Sequence, residues 1–185
     1  FPLQSASLDV IFSNLSFHFS ADMAKTVSEC FRVLKPGGLL LFSTFGPDTL
    51  KELRESFRQF DTMEHVHDFL DMHDVGDLLV KSGFSDPVMD MEYVSMRYRS
   101  VKKLLSDLRD TGSTNVRLDR RDALMGCQRW QKALDFYQSS FSQDNKVMAT
   151  HEIIYAVAWK SEQSSESFMD ESGDVVVPLS SIRRT

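Results

Sequence analysis

Apolar residues occur along the chain in short blocks whose spacing alternates between strand-like and helix-like. Leu8-Asp9-Val10-Ile11-Phe12-Ser13 is a short apolar run bounded by polar residues, the pattern of a strand buried on both faces of a parallel sheet. From Ser20, read as an N-cap, Met23, Val27, Cys30, Phe31 and Leu34 recur at helical spacing, and Lys35-Pro36-Gly37-Gly38 stops that helix. Leu39-Leu40-Leu41-Phe42 follows as a second buried strand. Strand, helix, turn and strand in that order predict a βαβ unit with parallel strands.

Pro47, after Thr44-Phe45-Gly46, suits a first helical position, and Leu50, Leu53, Phe57 and Phe60 then share one helical face. Asp71-Met72-His73-Asp74 starts a further helix, with Val75, Leu78 and Leu79 inward and Gly83 as its stop. Between Met89 and Tyr98 the alternation changes phase, from Met89, Met91 and Tyr93 to Val94, Met96 and Tyr98. That slip predicts a β-bulge or a bend out of the sheet. Ser100 caps a helix carrying Val101, Leu104, Leu105 and Leu108 that ends at Thr111-Gly112, and Trp130, Leu134, Tyr137 and Phe141 mark another. Ile153 to Trp159 returns to strand character. These elements describe an open, largely parallel α/β sheet over residues 1–160, with a helical insertion at about 100–145 before the last strand. Residues 161–185 read as an acidic, serine-rich disordered tail, in which Val175-Val176-Val177-Pro178-Leu179 suits a short extended piece.

Composition narrows the function classes. The 185 residues carry 21 Lys and Arg against 27 Asp and Glu, a net charge of −6, which argues against a general nucleic-acid-binding surface. No apolar run approaches the roughly 20 residues that span a bilayer. Cys30 and Cys127 stand nearly a hundred positions apart with no partner at metal-ligand spacing, so neither a disulfide framework nor a zinc site is indicated, and a cytoplasmic protein is expected. The sequence opens on Phe1-Pro2-Leu3 without an initiator Met, and a strand follows almost at once. A cut start is the expectation.

In open α/β sheets ligands bind outside the carboxyl ends of the strands. Ser13-Asn14 and Thr44-Phe45-Gly46 occupy such ends, and the compact Asn14 amide offers both donors and an acceptor. The alternative for Asn14 is a turn cap. The glycine pair Gly37-Gly38 precedes a strand, where a phosphate-cradling loop would have to follow one. His65 and His67, near Asp68 and Asp71, match no metal-ligand spacing and read as a solvated loop. No Gly-x-Ser-x-Gly is present.

Asp9-Val10-Ile11-Phe12-Ser13-Asn14-Leu15, followed by Arg32-Val33-Leu34-Lys35-Pro36-Gly37-Gly38, resembles the second half of class I S-adenosylmethionine-dependent methyltransferases. Residues 42–54, 69–77 and 86–93, together with Asp107-Leu108-Arg109-Asp110-Thr111-Gly112, Asn115 and Ala149-Thr150-His151-Glu152, resemble the malonyl-acyl-carrier-protein O-methyltransferases of biotin synthesis. The resemblance runs from Phe1 to Lys160. It implies a Rossmann-like sheet whose first three strands, with the family's glycine-rich loop and its ribose-holding acid, lie upstream of Phe1. A chain limited to these residues is then expected to be inactive or poorly folded, since its sheet would leave a long unpaired edge.

The resemblance further implies transfer of a methyl group from S-adenosylmethionine to the free carboxylate of malonyl-acyl-carrier protein, or of malonyl-coenzyme A, without a membrane or a nucleic acid as partner. The carboxylate is already ionised at neutral pH, so no catalytic base is called for, and alignment with exclusion of water carries the reaction. By resemblance Ser13, Asn14 and Leu15 lie at the methionyl part of the cofactor, and Phe17 and His18 on the rim where substrate enters. Arg117, Arg120 and Arg121 are candidates for the substrate carboxylate or for docking an acidic carrier. No metal is implied. Two other readings are kept: the mitochondrial complex I assembly factors, which end in the style of Ala149-Thr150 to Trp159-Lys160 but lack the Phe69-Leu70-Asp71-Met72-His73-Asp74 match, and a non-catalytic interaction module without a cofactor loop.

Overall fold

A computed structural model describes residues 1–113 and 125–161 and the backbone of 168–169 and 175–176. Strand β1 (Leu8–Ser13) leads through a single turn of 3-10 helix (Phe17–Phe19) to α1 (Met23–Val33) and β2 (Leu34–Phe45). Two helices, α2 (Lys51–Arg58) and α3 (Met72–Lys81), precede β3 (Phe84–Tyr98). Then come α4 (Val101–Asp110), α5 (Cys127–Ser140), the short β4 (Ser142–Gln143) and the long β5 (Lys146–Lys160). Beyond these, β6 (Phe168–Met169) and β7 (Val175–Val176) form a two-residue antiparallel ladder.

The main sheet has the order β1-β2-β5-β3. Only β1 and β2 run parallel; β5 is inserted between β2 and β3 and is antiparallel to both. The sheet is therefore mixed among its described strands, where a largely parallel one was expected. The last strand arrives from the insertion at the opposite end and returns as a hairpin partner. Its tight turn with β4 places Asp144 and Asn145 at φ +51° and +59°, the paired left-handed residues that a two-residue hairpin requires.

One face of the sheet is covered. Val27 and Cys30 of α1 and Val75 and Leu79 of α3 are fully buried against Leu40, Phe42, Ala156 and Ala158, with Ile11 and Met89 packed at the edge. A second core joins α2, α4 and α5 to the start of β5 through Phe57, Leu104, Tyr137 and Val147, and the Tyr137 hydroxyl donates to the Met148 carbonyl at 2.6 Å. The other face of β1 was expected to be buried too. Instead Val10 and Phe12 are 55% and 70% exposed, because both helices flanking the β1-β2 pair lie on the opposite side.

Several local expectations change for identifiable reasons. The N-cap of α1 is Asp22, whose carboxylate accepts from Lys25 N at 3.0 Å; Ser20 braces the turn before it through Thr26 Oγ1 at 2.6 Å. The helix stops at Val33, and Lys35-Pro36-Gly37-Gly38 belongs to β2. Lys160, at the end of β5, donates to the Phe31 and Leu34 carbonyls at 2.7 and 2.8 Å, so a cation covers the negative end of α1. Pro47 falls in a turn, and α2 begins only at Lys51. The phase change in β3 is not a bulge: Val88 to Tyr98 pairs with β5 without interruption. Met89 and Met91 point to the helix-covered face, while Val94, Met96 and Tyr98 share the opposite one. The pattern shifts because the apolar residues pass from the helix-covered side to the side that lines the cleft, where Val94 and Met96 are 36% and 45% exposed. The register break sits earlier, between Ser85 and Val88, where Asp86 takes φ +48° before Pro87.

Candidate functional site

Two leucines near the carboxyl ends of β1 and β2 lie in the left-handed region, Leu15 just past β1 at φ +46° and Leu50, which precedes α2 at the end of the turn that follows β2, at φ +55°. For a branched apolar residue such backbone costs about 1–3 kcal/mol and persists only where surrounding bonds enforce it. Those bonds are present. Leu15 N donates to the Ser43 carbonyl at 3.1 Å and to Ser43 Oγ at 3.0 Å. Leu50 N donates to the Thr150 carbonyl at 2.7 Å. Between them the turn at 46–50 is sewn to β5: Gly46 N donates to the Glu152 carbonyl at 2.9 Å and Asp48 N to Glu152 Oε2 at 2.7 Å. Thr49 Oγ1 donates to the Glu152 carbonyl at 3.1 Å. A Cβ on Gly46 would lie 2.4 Å from Glu152 Cδ, so the glycine is required by close approach. Glu52 is buried as well and accepts from the backbone N–H and hydroxyl of Thr150.

Asn14 does not cap its own turn. Its Oδ1 accepts from Ser43 Oγ of β2 at 2.6 Å, which ties the two strand ends together and leaves the amide NH2 as a donor at an exposed position. Ser13 Oγ lies 2.6 Å from Ser16 Oγ. Phe17 is buried and stacks on Phe42 at 4.7 Å, so it supports the site from the core side.

Beside these strand ends lies a cleft. Its mouth, about 460 Å³, is walled by Leu15, Phe45, Val94, Met96, Tyr98 and Ile153. A recess of about 80 Å³ adjoins it, between Leu53, Val66, His67 and Phe69. His18, Phe45 and His151 are walls of both. The His18 ring sits among Phe19, Phe45 and Phe69, with centroids at 4.1, 4.7 and 6.0 Å, and both of its ring nitrogens are buried without a hydrogen-bond partner. His151 packs 5.8 Å from Phe45, and its Nδ1 is buried in a ring whose backbone acceptor is the Ala149 carbonyl. Burial depresses both pKa values. For His18 the nearby His67 adds to the effect; for His151 the Ala149 carbonyl and the Glu52 carboxylate partly oppose it. Leaving a buried donor or acceptor unpaired costs about 1–3 kcal/mol, so the cleft has unspent hydrogen-bonding capacity in an aromatic setting.

His65 and His67 were expected in a solvated loop. His65 is instead half-hidden, with Nε2 3.0 Å from Asp61 Oδ2 and its ring stacked on Phe57 at 4.4 Å; His67 contacts Phe69 at 5.4 Å. Among the described residues no group of three or more His, Cys, Asp or Glu is placed to hold a metal ion. Arg117, Arg120 and Arg121 lie outside the described residues. His151 and Phe69 had no part in the sequence-derived site. Register alone brings His151 to the cleft, since β5 pairs Ile153 with Phe45 and His151 with Val94.

Comparison with solved structures decides the architecture. A putative methyltransferase of Bacillus halodurans superposes with a TM-score of 0.58 at 18% identity, covering 87% of this chain and 73% of that one. The YcgJ protein of Bacillus subtilis gives 0.57 at 14% identity, covering 88% and 68%. The fold is that of the class I methyltransferases. A family model described as a methyltransferase domain matches residues 1–42. Malonyl-[acyl-carrier protein] O-methyltransferase 1 of Coxiella burnetii is 48% identical over 184 residues, 99% of this chain and 64% of that protein. The malonyl-[acyl-carrier protein] O-methyltransferase of Gallionella capsiferriformans is 46% identical over 159 residues, 86% of this chain and 54% of that protein. The chain thus spans less than two thirds of the length of these relatives. Within the methyltransferase fold, Asn14 and Leu15 occupy the carboxyl end of a parallel strand, and no helix among the described residues is long and apolar enough to cross a membrane.

The donor set at this strand end fits the amino-acid portion of S-adenosylmethionine in one respect. The Asn14 amide has a free NH2, and its oxygen retains a second lone pair beside the Ser43 hydroxyl.

Proposed function

We propose that this chain belongs to an enzyme that methylates the free carboxylate of malonyl-acyl-carrier protein, giving the malonyl methyl ester that primes pimeloyl and biotin synthesis. The observation that carries the reading is the 48% identity over 99% of the chain with an O-methyltransferase of that name. S-adenosylmethionine supplies a methyl group bonded to a positively charged sulfur. Asn14, with Ser13 and Leu15, would hold the amino-acid end of that cofactor. His18 stands on the substrate side with Phe17 behind it, and Arg117, Arg120 and Arg121 remain candidates for the malonyl carboxylate or the carrier.

The chemistry asks little of the protein beyond positioning. With the cofactor bound, a carboxylate oxygen would form the new bond to the methyl carbon as the carbon–sulfur bond breaks, and no proton would have to move. Two opposite charges disappear together, so an aromatic cleft that excludes water favours the reaction. The ester then lacks the charge whose burial would burden later chain-elongating enzymes.

The test uses the protein expressed from its complete natural reading frame, mixed with S-adenosylmethionine and malonyl-acyl-carrier protein, with the carrier followed by intact mass. The expected result is the gain of one methyl group, strongly reduced in Asn14→Ala. Demonstrated cofactor binding with no gain on the malonyl carrier overturns the substrate; a parallel reaction with malonyl-coenzyme A separates carrier-dependent from carrier-independent transfer.

A further inference from the structure

Resting on the reading of a carboxylate acceptor, we infer that His18 and His151 are the groups that grip the acceptor carboxylate, as hydrogen-bond donors in the cleft they share with Phe45. Three observations meet at this place. The two imidazoles pack on one ring, His18 at 4.7 Å and His151 at 5.8 Å from the Phe45 centroid. Both ring nitrogens of His18 are buried without a hydrogen-bond partner, and Nδ1 of His151 is buried too. Among the described residues lining the cleft and its recess there is no arginine or lysine.

An anion entering an aromatic cleft needs donors, because an ionised carboxylate stripped of water without partners is prohibitively costly. The histidines supply them, and burial, which lowers the pKa of both, favours the neutral imidazole. Neutral donors suit the chemistry better than a fixed cation. They orient one carboxylate oxygen while leaving the other nucleophilic, and they impose no unpaired positive charge once the product ester has lost its own. A ligand of this site is therefore a short thioester ending in a free carboxylate, and the corresponding methyl ester should leave.

Binding rather than turnover tests this. Malonyl-pantetheine and its methyl ester are titrated calorimetrically into the protein from the complete reading frame, alongside His18→Phe and His151→Phe, which keep a ring in the cage and remove the donors. The expected result is about a tenfold preference of the parent for the free carboxylate, lost in either variant, with ester binding unchanged. A parent that binds acid and ester equally, or variants that keep the preference, overturn the assignment. Should a variant fail to fold, ring-labelled histidine resonances of the parent decide. Movement of two histidine signals on adding malonyl-pantetheine, absent with the ester, supports the pair, and saturable binding without such movement overturns it. A parent that binds neither thioester while transferring methyl to another acceptor removes the malonyl reading itself, an outcome distinct from failure of the histidines alone.

Discussion

The two faces of the sheet are built from similar residues and have different fates. On one side Leu40, Phe42, Ala156 and Ala158 meet α1 and α3 and are essentially inaccessible. On the other, Val10, Phe12, Val88, Tyr155 and Trp159 stand exposed among the described residues, Phe12 at 70%. The register carries this second face directly into the cleft: Leu41 pairs with Val157, Ser43 with Tyr155 and Phe45 with Ile153, and across β5 His151 lies opposite Val94. The helix-covered face and the face that leads to the site are therefore separate over β1, β2 and the end of β5, while at the start of β5 Val147 and Ala149, on the cleft face, are buried in the second core. Stability and ligand binding should respond to different substitutions.

The largest difference is expected at Leu79, which is fully buried in the covered face. Leu79→Ala should cost about 2–5 kcal/mol through lost transfer energy and a residual cavity, read as a lower urea midpoint with an unchanged slope. Gly46→Ala comes next, at the corner where β2 turns into the cleft. Its new Cβ would collide with Glu152, and overpacking of this kind costs about 1–3 kcal/mol; a Glu152→Gly partner that recovers the midpoint would tie the loss to that contact, and no recovery would break the tie.

Smaller and of opposite character is the response to pH. His18 and His151 have depressed pKa values when folded, so the unfolded chain binds protons more readily than the folded one. Stability is retained above the unfolded value of about 6.5 and falls as the pH drops below it toward the folded values. Thermal midpoints from pH 8 to 5 should decline on the acid side, and His18→Phe should flatten part of that decline. An unchanged slope would mean that the cleft histidines are not linked to folding. The smallest effect is expected for Phe12→Ser, within about 0.5 kcal/mol for an exposed position, checked by the same urea titration; a loss as large as that of Leu79→Ala would show that the second face is covered in solution.

Much of this was legible in the chain itself. The helices around Val27, Val75 and Leu104, the caps at Asp71 and Ser100, and the stop at Gly83 follow from local spacing and local hydrogen bonding, which need no knowledge of neighbours. Ser13 and Asn14 were placed at a strand end by the same means. The bond from Ser43 to Asn14 was not legible, because it joins residues 29 positions apart, nor was the Lys160 contact with the end of α1. The slip in β3 misled for a related reason. Periodicity reports which side carries apolar residues, and a change from the core side to the cleft side along one strand looks the same as a change of register.

The sequence by itself determined the alternation of strands and helices, the carboxyl-end position of Asn14 and a family resemblance, since each is written in short runs of residues. The tertiary structure decided that β5 runs antiparallel between β2 and β3, and thereby that His151 lines one cleft with Phe45 and His18. Strand order and register are settled by which apolar surfaces pack together over the whole domain, a sum over distant contacts that no local pattern contains.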